Sequence, residues 1–156
     1  TNNEAAGLWV TGDSVILGIR HELDSRNPIA LINARVGRQA PELIDVITHD
    51  APAMKDSTII FNLGNNNALT STQVEKVFEL IKDQPKIIVV NTAVPRPWKD
   101  ANNSLIRSVA SKYWQVNLVD WDQISTNHPE YFAPDGVHLV PTGIAVFVDA
   151  VLEELK

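Results

Sequence analysis

Two stretches of the chain, Thr58-Ile59-Ile60-Phe61-Asn62-Leu63 and Ile87-Ile88-Val89-Val90-Asn91, are apolar almost without interruption over the length of a strand. A strand wetted on one face alternates apolar and polar residues, whereas a near-continuous run belongs in a parallel sheet covered by helices on both faces. Each run leads into turn residues and then into helical spacing. After the first, Gly64-Asn65-Asn66-Asn67 form a loop, and Thr70 with Gln73 makes a capping-box pattern. The helix it opens carries Val74, Val77, Phe78 and Ile81, and Pro85 is expected to end it. After the second run comes a loop with Pro95, Pro97 and Trp98, then a helix over about 101–113.

The same alternation extends in both directions. Gly7-Leu8-Trp9-Val10 reads as a short buried strand before a helix over about 14–23, and Asn27-Pro28 turns the chain into a second strand, Ile29-Ala30-Leu31-Ile32-Asn33. A loop at 34–39 precedes a helix with Pro41 near its start and Leu43, Ile44, Val46 and Ile47 on one side. Val116-Asn117-Leu118-Val119-Asp120 supplies a fifth strand, residues 121–140 read as irregular with at most one short helix, and an amphipathic helix closes the chain over about 142–155. Five repeats of strand and helix predict one α/β domain, a five-stranded parallel sheet sandwiched between helical layers, with every strand apolar enough to be central. No repeat, low-complexity tract or linker divides the 156 residues. Such sheets carry function outside the carboxyl ends of their strands, which points to the loops after the first, second, third and fifth.

Composition narrows the chemistry. A formal charge of −6 without a long basic run argues against a nucleic-acid backbone or an anionic membrane as partner. The chain has no cysteine, which excludes disulfides, thiol nucleophiles and thiolate metal sites and leaves the redox compartment undetermined. No apolar run reaches 18 residues, and residues 1–4 show neither the basic start nor the apolar stretch of a signal peptide. That polar lead, directly before the first strand, suits a domain cut from a larger protein.

Thr11-Gly12-Asp13-Ser14-Val15 lies where the first strand meets its helix. Ser14 there is either a helix cap or a nucleophile with its hydroxyl exposed at the sheet's carboxyl end. Asp135-Gly136-Val137-His138, bracketed by Pro134 and Pro141, offers a base and a carboxylate to orient it, three residues apart. In a doubly wound sheet this last loop can lie beside the turn that holds Ser14. Donors for a tetrahedral oxyanion are available in the Ser14 N–H, the N–H of Gly37 and the side-chain amide of Asn66, although Gly37 as a plain turn glycine and the asparagines as a plain polar loop are equally open readings.

In order and across nearly the whole domain, Gly12-Asp13-Ser14-Val15, Gly37, Gly64-Asn65-Asn66 and Asp135-Gly136-Val137-His138 resemble the four blocks of the SGNH (GDSL-type) hydrolase superfamily. Adding Asn33-Ala34-Arg35-Val36-Gly37-Arg38-Gln39, Leu63, Val119-Asp120-Trp121 and Leu139 makes the chain similar to the extracellular domain of bacterial peptidoglycan O-acetyltransferases of the OatA type. The resemblance implies the SGNH-hydrolase (flavodoxin-like) fold, Ser14 as nucleophile, His138 as base, Asp135 as orienting acid, and Ser14, Gly37 and Asn66 as oxyanion donors. It implies acetyl transfer to the C6 hydroxyl of N-acetylmuramic acid in the glycan strand, protecting the wall from lysozyme, without a cofactor. It also implies an acetyl donor delivered by a multi-pass membrane module of the same parent chain, and a monomeric domain tethered through it at the outer face of the bacterial membrane.

Two positions depart from the pattern. Asn67 stands where many SGNH esterases have the aspartate of G-x-N-D, and Val15 replaces the common leucine. Arg38 and Gln39 are candidates to touch a sugar or to fix their loop, Trp98 to stack on a sugar face, and Trp121 to pack beneath the final loop. His21, His49 and His128 lack partners at metal-ligand spacing, so no metal site is expected. The competing expectations are a stand-alone carbohydrate or lipid esterase of the same superfamily and a non-catalytic wall-binding module. A flavodoxin-like nucleotide binder is disfavoured because Gly12 is the only glycine in the first turn.

Overall fold

The computed structural model describes residues 7–156, so the polar lead at 1–4 lies outside the described residues. The strands are β1 (Leu8–Gly12), β2 (Ile29–Ala34), β3 (Thr58–Asn62), β4 (Lys86–Val90) and β5 (Val116–Val119). All neighbours pair in parallel, in the order β2-β1-β3-β4-β5. The helices are α1 (Ser14–Arg26), α2 (Ala40–Asp50), α3 (Ser71–Ile81), α4 (Lys99–Ala110), α5 (Trp121–Ser125) and α6 (Pro141–Glu153), with short 3-10 turns at Ala51–Met54 and Pro129–Tyr131.

The two-residue period of the strands sorts their side chains into two cores. Trp9, Ile59, Phe61, Ile87 and Val89 meet α2, α3 and α4 through Leu43, Ile47, Val77, Phe78 and Ile106. Leu8, Val10, Ile60, Ile88 and Val90 meet α1 and α6 through Ile16, Ile19, Phe147, Val148 and Val151. Each fully buried aliphatic or aromatic side chain contributes about 1.5–3 kcal/mol relative to exposure, which is why the apolar runs dictate a three-layer arrangement.

Several boundaries differ from the sequence expectation for identifiable reasons. β2 and β5 are edges, and most of their residues are only partly buried. Helix α3 stops at Ile81, ahead of Pro85, because the buried Gln84 turns inward and donates to the Met54 and Ser57 carbonyls at 2.9 Å each. Helix α4 runs two residues earlier at its start and ends at Ala110, which frees Tyr113 to stack on Phe78 at 5.7 Å. The capping box is present, with Thr70 and Gln73 exchanging side-chain and backbone bonds.

The chain leaves β1 toward β2 on one side and later returns to β3 on the other. The carboxyl ends of β1 and β3 therefore flank the switch point where a doubly wound sheet opens a crevice. Ser14 begins α1 at that point.

Candidate active site

Gly12 ends β1, and a Cβ there would come within 2.5 Å of Ile16 Cγ1, so only glycine lets the strand end sit this close to the first turn of α1. Asp13 is the N-cap, its Oδ1 accepting from the Val15 N–H at 2.9 Å. Ser14 is thereby the first helical residue and not the capping one, which removes the purely structural role as its explanation. Its N–H, one of the orphan donors of a helix start, meets no acceptor among the described residues.

The final loop is folded by its own backbone. A bridge between Phe132 and Leu139, with Ala133 N–H donating to the His138 carbonyl at 2.8 Å, closes it over Trp121. Trp121 is buried and stacks on Tyr131 at 6.0 Å while meeting Phe147 edge-on at 5.0 Å, as expected of a platform beneath the loop. Asp135 Oδ1 accepts from the Val137 and His138 N–H groups at 2.8 and 3.0 Å, and its Oδ2 lies 2.6 Å from His138 Nδ1. On the far side of the ring, His138 Nε2 lies 2.8 Å from Ser14 Oγ. Residues 124 positions apart are thus in bridging contact.

The electrostatics follow from these contacts. The His138 hydrogen bond, aided by the two N–H donors, holds the Asp135 carboxyl down to about 2. An ionised Asp135 fixes the proton on Nδ1 and leaves the Nε2 lone pair facing the serine. Asp135 and His138 side chains are nearly half exposed, at 47% and 49%, so hydrogen-bond geometry and not desolvation holds the pair. Asp13 is the opposite case. Burial pushes its carboxyl up, against the Val15 N–H, the Asn65 amide and His138. Its Oδ2 accepts from both the Asn65 and Asn66 amides, at 2.9 and 3.0 Å.

A cleft of about 210 Å³ opens beside Ser14. Asp135, Val137 and His138 form one wall, Asn65 and Asn66 a second, and Arg96 and Trp98 a third. The residues after β2 do not line it. Gly37 is exposed at φ +77°, and Gln39 reaches only the Asn66 carbonyl, at 3.4 Å. Arg38 is buried, donating to the Asn33 carbonyl at 2.7 Å, to Asn33 Oδ1 at 3.1 Å and to Glu42 at 2.9 Å. These contacts hold the loop, the second of the two parts open to Arg38 from the sequence. Its own carbonyl accepts from Asn66 Nδ2 at 3.1 Å, so both protons of that amide are engaged here, and one contact must be exchanged when the amide serves an oxyanion.

The loop after β4, absent from the four loops expected, belongs to the cleft. Pro95 packs against Gly136, where a Cβ would come within 3.2 Å of Pro95 Cγ, and this brings Arg96 and Trp98 to the catalytic side. The sequence signal was available in Pro95-Arg96-Pro97, a cation between two residues that stiffen the backbone. Among the described residues no group of three or more His, Asp or Glu could hold a metal ion.

No family model matches the chain. It is 34% identical over 97% of its length to YrhL of Bacillus subtilis, whose name provisionally assigns it to peptidoglycan O-acetylation. It is 33% identical over 93% of its length to the O-acetyltransferase OatA of Staphylococcus aureus. The chain spans 24% of the length of each. Among solved structures, the C-terminal catalytic domain of Streptococcus pneumoniae OatA, in a methylsulfonyl adduct, superposes at a TM-score of 0.77 with 23% identity, covering 96% of this chain and 92% of that one. An acetylxylan esterase of Geobacillus stearothermophilus superposes at 0.74 with 15% identity, covering 96% and 93%.

Proposed function

The chain belongs to the SGNH (GDSL-type) hydrolase superfamily, in the branch of the bacterial peptidoglycan O-acetyltransferases of the OatA type, and from that premise we propose that it moves acetyl groups through Ser14 onto a wall glycan. The observation that carries this reading is the unbroken contact from Ser14 Oγ through His138 to Asp135, at 2.8 and 2.6 Å, on the rim of an open cleft.

Ser14 Oγ attacks the acetyl carbonyl carbon while His138 Nε2 takes the hydroxyl proton, and Asp135 stabilises the imidazolium through Nδ1–H. The carbonyl oxygen becomes an oxyanion held by the Ser14 N–H and by the Asn66 amide, which releases one of its present acceptors to do so. Collapse expels the donor oxygen with the proton from His138 and leaves acetyl-Ser14. The acceptor hydroxyl then gives its proton to His138 as it attacks the acetyl carbon; the bond from that carbon to Ser14 Oγ breaks, His138 returns the proton to the serine oxygen, and the acceptor departs as the ester.

The acceptor in this proposal is the C6 hydroxyl of N-acetylmuramic acid in the glycan strand, lying against Trp98. The relatives are about four times longer than this chain, which supports a domain of a larger protein; in this proposal that protein sits at the outer face of the membrane and its remainder supplies the acetyl groups. No described helix is long and apolar enough to cross a membrane. A non-catalytic wall-binding module has no use for the Ser14–His138–Asp135 chain of contacts. The superposition on an acetylxylan esterase gives the second reading, in which water resolves the acetyl-serine. Incubating the protein with an aryl acetate and a glycan acceptor separates the two. The proposal expects acetylated glycan to form at the expense of free acetate, and acetate release unaffected by acceptor contradicts it.

A further inference from the structure

Four arginines are spent on carboxylates: Arg26 on Asp149, Arg35 and Arg38 on Glu42, Arg107 on Asp120. Arg20, exposed on α1, and Arg96 have no carboxylate partner among the described residues, and of these two only Arg96 stands at the Ser14 cleft. It lines the Ser14 cleft, and its side chain's one hydrogen bond among the described residues is from Nη1 to the Pro95 carbonyl at 3.1 Å. The two acids of the Ser14 site are engaged elsewhere. Asp135 has both oxygens committed to His138 and to two N–H groups, and Asp13 is buried beneath the asparagines.

The backbone of Arg96 is also fixed. Pro95 and Pro97 flank it, its N–H donates to the Val94 carbonyl at 2.9 Å, and its carbonyl accepts from the Lys99 N–H at 3.2 Å. The guanidinium therefore leaves a stiff loop in a cleft it lines together with Trp98 and His138, with donors unspent, in a chain whose net charge is −6. A planar guanidinium with free donors is built to take a carboxylate with two parallel hydrogen bonds.

We propose that Arg96 is the specificity residue of the acceptor subsite, binding a carboxylate on the glycan while Trp98 takes the sugar face. This rests on the acetyl-transfer reading. A muramic-type glycan offers that carboxylate in two places: the lactyl group, where no peptide is attached, and the acids of an attached peptide, where the lactyl is amidated.

The test compares wild type, Arg96→Gln and Arg96→Lys with an aryl acetate as donor and three acceptors: a neutral chitooligosaccharide, a peptide-free muroglycan and a peptide-bearing muroglycan. In Arg96→Gln, kcat/KM for a carboxylate-bearing acceptor relative to the neutral one falls about five-fold or more, mostly through KM, and Arg96→Lys recovers part of it. A fall with the peptide-free glycan identifies the lactyl carboxylate as ligand, and a fall confined to the peptide-bearing glycan identifies the peptide acids. An unchanged ratio, or an equal loss on all three acceptors in both variants, overturns the role of Arg96 alone. Wild-type protein that hydrolyses the aryl acetate and acetylates none of the three overturns the transferase reading and this inference with it.

Discussion

Asp135 shows how much of the proposed chemistry rests on single hydrogen bonds. Its side chain is nearly half exposed, yet the His138 ring and two backbone donors keep it ionised down to about 2. Loss of activity on acidification from neutral pH is accordingly not the protonation of Asp135. It follows from the imidazole's part as base, since a protonated Nε2 has no lone pair left to take the serine proton. Replacing Asp135 by asparagine presents an amide where the carboxylate was, and frees His138 to hold its proton on the wrong nitrogen. A kcat lowered by about a hundred-fold or more, with an acid limb retained in wild type, is the expected outcome of steady-state kinetics across pH. An Asp135→Asn variant within a few-fold of wild type would remove the carboxylate from the mechanism. At this scale the sequence was informative wherever a residue's chemistry is unusual for its setting. The Ser14, His138 and Asp135 contacts were legible from motif and strand order across 124 positions. Arg38 and Arg96 were not separable, because an arginine turned under its loop and one turned into a cleft are the same letter.

The segment after β2 shows what a whole element adds. Its path is set by a cluster in which Glu42, on α2, accepts from both Arg35 and Arg38, and Arg38 in turn caps the Asn33 carbonyl. The Arg35 bond, reinforced by Arg38, holds the Glu42 carboxyl from its ordinary value of 4.5 down to about 2. A carboxylate whose folded-state pKa is depressed adds stability in full above its unfolded value, and that stability drains as pH falls toward the folded one. Melting curves of wild type and Glu42→Gln should thus differ by a constant margin above about pH 5 and converge between about 4.5 and 2. A margin that survives to pH 2 would assign the stabilisation to packing instead of charge. The same cluster explains why the loop after β2 stays off the cleft in this structure: Arg38, a candidate either to touch a sugar or to fix its loop, is the side chain that anchors it.

For the molecule as a whole, two apolar strands without alternation were enough to predict a covered parallel sheet, since burial on both faces leaves few other architectures. The edge strands were harder to read. β2 and β5 are short and apolar like the central ones, and only their position in the order β2-β1-β3-β4-β5 exposes them. Helix ends were displaced by single side chains with tertiary partners, Gln84 turning toward Met54 and Tyr113 toward Phe78. What the fold accomplishes is the meeting of its first turn with its last loop over the Trp121 platform, and the loop after β4 completes the cleft by packing on Gly136. The most direct measurement of that claim is intact-mass analysis after treatment with a small sulfonyl fluoride. One sulfonyl group on Ser14 in wild type, none in Ser14→Ala, and labelling slowed by about a hundred-fold or more in a folded His138→Ala are predicted. An unlabelled wild type, or labelling that proceeds equally fast without His138, would contradict it.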